Sequence, residues 1–134
     1  MDARTRRIEA SLPGRPEAAT RARRAVRALE GLVDPDRLDD VELVASELVG
    51  NSVRHALCDH PGAEIDLRIL ASPELVRLEV SDPGPGFEPS AHRPSDLSPS
   101  GRGLFLVEAL SERWGVERTR ATKVWCELNV AAAS

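Results

Sequence analysis

The chain has 134 residues, enough to bury a hydrophobic core as a single domain over 1–134, and its 41% hydrophobic and 30% charged residues exclude a wholly disordered chain. A net charge of −4, with no Tyr and two Phe, excludes the basic or aromatic surface of a general nucleic-acid binder. No apolar run approaches the roughly 20 residues of a membrane helix, residues 1–14 carry charges in place of a signal peptide's apolar stretch, and Cys58 and Cys126 suit free thiols in a reducing compartment, so the expected location is cytoplasmic, with no direct nucleic-acid or membrane contact.

Residues 7–12 suit a short edge strand ended by Pro13-Gly14. From Pro16 the period is helical: Ala22, Val26, Leu29 and Leu32 or Val33 recur at three- or four-residue steps, and Gly31 marks the end. Arg21, Arg24 and Arg27 take the opposite face, which suits solvent or an acidic partner. A second helix is predicted from Asp34-Pro35-Asp36, an acidic cap before Leu38. Its stripe is Val41, Val44, Ala45, Leu48, Ser52 and Ala56, and it ends before 59–62. The period then falls to two. Ile65, Leu67 and Ile69 alternate with Asp66 and Arg68, Ser72-Pro73-Glu74 turns the chain, and 75–80 returns as the second strand of a hairpin. Residues 81–86 read as a Pro/Gly turn and 88–100, without periodicity, as a loop. A helix over 102–112 turns Leu104, Val107 and Leu110 inward, and 114–118 and 124–130 close the sheet, with Trp114 and Trp125 packed on it. This order predicts an α+β fold: a two-layer sandwich whose mixed, mostly antiparallel sheet is covered on one face by helices.

Three short constellations carry chemistry. On the second helix Glu47, Asn51 and Arg54 project in nearly one direction beside the apolar stripe. A carboxylate, an amide and a guanidinium there suit Mg²⁺ and phosphate oxygens with a base to spare, or a solvated polar edge. Asp82-Pro83-Gly84-Pro85-Gly86 follows a strand; its glycines let backbone approach a flat ligand, and the Asp can accept from an exocyclic amine. Gly101-Arg102-Gly103-Leu104 opens a helix, where exposed N–H groups favour an anion. Neither a Walker A loop nor a dinucleotide fingerprint is present. His55, Cys58 and His60 lie close together but lack a fourth ligand for a structural zinc.

In that order the three resemble the boxes of a GHKL-type ATP-binding domain, the Bergerat or histidine-kinase-like ATPase fold. Within it the chain is similar to the single-domain anti-sigma-factor serine/threonine kinases of bacteria. Glu47 to His55 is similar to the N-box, Asp82 to Gly86 to the DxGxG box, and Gly101 to Val107 to the GxGLxxV box; 88–100 falls where the family keeps its lid, and Gly50 where a larger residue is common. The resemblance implies Glu47 as catalytic base and Asn51 as Mg²⁺ ligand. It places Asp82 on the adenine amine, Gly84 and Gly86 around the pocket, and Gly101, Arg102, Gly103 and Leu104 beside the triphosphate with Arg54 near its charge. Thr122, just before the final strand, would reach adenine through water. The implied cofactors are ATP and Mg²⁺, and the implied partners an anti-sigma antagonist as substrate and a sigma factor; monomer and homodimer both remain open. The alternative function is a nucleotide-dependent regulatory binding protein that transfers no phosphate.

Overall fold

A computed structural model describes residues 4–59, 62–82, 102–118 and 121–132. Five strands and three helices follow in the order β1 (Arg6–Pro13), α1 (Glu17–Arg27), α2 (Pro35–Asp59), β2 (Glu64–Ala71), β3 (Leu75–Asp82), α3 (Arg102–Leu110), β4 (Arg113–Arg118) and β5 (Thr122–Asn129). The sheet order is β1-β2-β3-β5-β4. The expected mixed sheet is antiparallel in every pair among the described residues. The reason is β5. It enters between β3 and β4, so the two strands that run parallel across the α3 crossover never become neighbours.

Alternation decides which face the helices cover. Ile65, Leu67 and Ile69, Val76, Leu78 and Val80, and Val124, Cys126 and Leu128 are all buried and pair across the strands in register. Against them α1 lays Ala18, Ala22 and Val26, one turn apart, and α2 lays Val41, Val44, Ala45, Leu48, Val49 and Val53. Burying such a side chain is worth about 1.5–3 kcal/mol, so this interface fixes how α2 lies on the sheet. At the start of α2, Asp34 Oδ1 accepts from the Asp36 amide at 2.8 Å, and Pro35 fills the first helical position, where no N–H is needed.

Several expected boundaries move. Helix α1 stops at Arg27, and Leu29, Leu32 and Val33 reach the core from the turns that follow; Gly31, at φ +87°, reverses the chain there. β3 runs on through Ser81 to Asp82, positions expected in a turn, because Ser81 and Asp82 still pair with Lys123 and Thr122. For the same reason Thr122 opens β5 instead of preceding it. Helix α3 ends at Leu110, two residues early. Trp114 packs against the core, whereas Trp125 lies on the opposite, open face. No helix among the described residues is long and apolar enough to cross a membrane.

Candidate functional site

The site is assembled at one end of the sheet, where β3 ends and β5 begins. Asp82 and Thr122 are cross-strand partners there, on the helix-covered face, exposed by only 4% and 6%. Alternation puts them there. Thr122 is the next inward position after Leu128, Cys126 and Val124, and Asp82 the next after Val76, Leu78 and Val80. A carboxylate is costly to bury unless donors meet it, and here it lies beside a hydroxyl, two groups whose chemistry suits a donor-bearing ligand.

Helix α2 supplies the second cluster. Asn51 is 7% exposed and accepts at Oδ1 from Nη2 of Arg54, one turn on, while its Nδ2 is buried with no partner among the described residues. Glu47 sits one turn earlier, half-buried, and no hydrogen bond or ion pair holds its carboxylate among the described residues. Helix α2 packs on β2, on α3 and on β3, the strand that ends at Asp82. The donor set fits a hard divalent cation shared with phosphate: one amide oxygen from protein, a carboxylate nearby, and an orphaned amide N–H that needs an acceptor.

The remaining expected residues divide in two. Arg102, Gly103 and Leu104 form the first turn of α3, as a glycine-opened helix requires. Gly84, Gly86, Gly101 and the lid at 88–100 lie outside the described residues, as do the side chains of His55, Cys58 and His60; among the described residues no His/Cys/Asp/Glu group could hold a metal. Sequence reasoning passed over Arg118. It ends β4 opposite Thr122, completing the row Asp82–Thr122–Arg118 across three strands. The signal was the alternation Trp114, Val116, Arg118, which turns an arginine toward the helices.

Among the described residues, none of those expected in the site lies on the other face of the sheet. Its charges neutralise one another. Glu127 accepts from Arg77 at 2.8 Å and from Nε of Arg113 at 3.1 Å, and Glu79 from Arg77 at 2.8 Å, with Arg68 and Lys123 within 4 Å. Arg77 also stacks over Trp125, 4.5 Å from the ring centre, and Gly115 leaves that indole its space. The Arg77 hydrogen bond holds the Glu127 carboxyl below the usual carboxylate range against the opposing effect of burial, with Arg113 assisting. Burial pushes Glu79 upward, but the Arg77 hydrogen bond and the Lys123, Arg77 and Arg68 charges bring it below that range. A cleft of about 390 Å³ on this face is lined by such residues, among them Ser11, Asp66, Arg68, Glu79 and Lys123. Beneath the helices, burial pushes the Cys126 thiol up to about 11, leaving it protonated at neutral pH.

Comparison with known proteins agrees with this fold. A family model described as the histidine kinase-like ATPase domain matches residues 12–127. A serine-protein kinase RsbW of Listeria monocytogenes serotype 4a is 26% identical over 120 residues, covering 79% of this chain and 76% of that protein. Proteins of the same name from Oceanobacillus iheyensis and Bacillus subtilis are 26% and 24% identical, over 78% and 82% of this chain and 75% and 77% of their own lengths.

Proposed function

Because the chain belongs to the histidine kinase-like ATPase domain family, we propose that it is an ATP-dependent serine/threonine protein kinase of the cytoplasm, an anti-sigma regulator that phosphorylates an antagonist protein and sequesters a sigma factor. The relatives named serine-protein kinase, each aligned over about three-quarters of its length, support the kinase class. One observation carries the chemistry: the half-buried Glu47 carboxylate, free of protein partners among the described residues, one turn from a buried amide that suits a cation.

In this reading Asp82 accepts from the adenine amine, and Thr122 beside it fixes the base through its hydroxyl. An ionised carboxylate only accepts, so the pair selects an amine over the carbonyl of guanine. Gly84 and Gly86 let backbone approach the base, and the first turn of α3, with Gly101, Arg102, Gly103 and Leu104, offers N–H groups to the phosphates. Asn51 would hold Mg²⁺, which when bound neutralises phosphate charge. Glu47 takes the proton from the entering serine or threonine hydroxyl, so that oxygen attacks the terminal phosphorus as the bond to the ADP oxygen breaks. The protein's contribution is position and charge.

The test is transfer. Incubated with labelled ATP, Mg²⁺ and candidate antagonist proteins, the chain should place label on a serine or threonine of one of them. Tight nucleotide binding with no transfer to any antagonist would favour the regulatory binding protein instead.

A further inference from the structure

The contact between Arg54 and Asn51 has a chemical direction. Arginine carries donors only, so the guanidinium fixes which end of the amide is oxygen: Oδ1 accepts from Arg54, and Nδ2 is left buried with no partner among the described residues. The atom of the Asn51 side chain that a hard cation would use therefore already accepts one hydrogen bond, and a cation arriving there would meet the positive charge of the guanidinium. Gly50 provides the berth. It lies one turn before Arg54 on the same helix edge, and a Cβ added there would stand 3.7 Å from Arg54 Nη1. A longer side chain would fill the space the guanidinium uses. At that distance the added Cβ makes ordinary van der Waals contact, so alanine fits and only a larger residue would crowd the arginine. Arg54 itself is exposed, so it can leave Asn51 without opening the core.

We propose that Arg54 is a latch on the metal site: in the metal-free protein it occupies Asn51 Oδ1 in place of the cation, and it is displaced toward the phosphates when Mg²⁺ and nucleotide arrive. The proposal rests on the reading of Asn51 as the Mg²⁺ ligand. The latch satisfies a buried carbonyl oxygen that would otherwise lose its hydration for nothing. It also ties the arrival of one cation to the release of another beside the triphosphate. Nucleotide without metal therefore meets a site whose arginine is still engaged.

Two measurements test this. The first is a double-mutant cycle of Asn51→Ala and Arg54→Met in unfolding of the nucleotide-free protein. A hydrogen bond to a charged donor predicts coupling of about tenfold in the unfolding constant. The second is the Mg²⁺ concentration for half-maximal thermal protection at saturating ADP. Gly50→Leu keeps the arginine but removes its berth, and should lower that concentration at least about threefold, while Gly50→Ala should leave it near wild type. An additive cycle, or an unchanged Mg²⁺ midpoint in Gly50→Leu with ADP still bound, overturns the latch and leaves the nucleotide site standing. A wild-type protein indifferent to both ADP and Mg²⁺ overturns the site and the latch together.

Discussion

Asp82 shows what position in the fold adds to a residue that sequence alone leaves ambiguous. In sequence it is an acid before a Pro/Gly turn, a pattern common to many loops. In the fold it is the last inward residue of β3, 4% exposed and opposite Thr122, where a charge is tolerated only for what it meets. Asp82→Asn keeps the shape but can turn a donor toward the base amine. ATP affinity measured by calorimetry should fall at least about tenfold, since leaving a buried donor facing a donor costs about 1–3 kcal/mol, and GTP should bind the wild-type protein far more weakly than ATP. Unchanged ATP affinity in the variant would remove Asp82 from the base. Thr122 carries the complementary lesson. Its role was implied by resemblance, but its place as a strand residue opposite Asp82 followed only from the register of β3 on β5.

At the scale of elements, hydrophobic period made the core strands and α2 legible, because burial enforces alternation wherever one face is covered. Ile65, Leu67 and Ile69 and the Val41 to Leu48 stripe lie inward as their spacing required. What the period could not show was pairing between distant segments. The insertion of β5 between β3 and β4, and the open-face array joining Glu9, Arg68, Arg77, Glu79, Arg113, Lys123 and Glu127, depend on it. That array has a pH signature. Glu79 and Glu127 titrate lower in the folded chain than their ordinary range, so the stability they contribute is complete above the unfolded glutamate pKa of about 4.3. It is lost as pH falls through the depressed native values. Thermal midpoints from pH 7 to pH 3 should fall steeply in the wild type. Glu79→Gln/Glu127→Gln should melt lower at pH 7 and lose less on acidification. Parallel curves for the two proteins would mean that the carboxylates stitch nothing.

The whole molecule divides its labour between two faces. One face of the sheet carries charges that neutralise one another, and the other is covered by helices, with α2 packed on β2 and β3. Sequence order alone could state that the three boxes occur; the fold adds that residues 82 and 122 are cross-strand partners and that α2, which carries 47 and 51, packs on β3, relations that no local rule supplies. The central claim is that Glu47 is the base of a phosphotransferase. It is tested most directly by single-turnover transfer from ATP to the antagonist protein in wild type and Glu47→Gln, with nucleotide affinity measured in parallel. The account predicts affinity within a few-fold of wild type and transfer slowed at least about 100-fold, the range expected for loss of a general base; transfer at a near-normal rate by Glu47→Gln would contradict it.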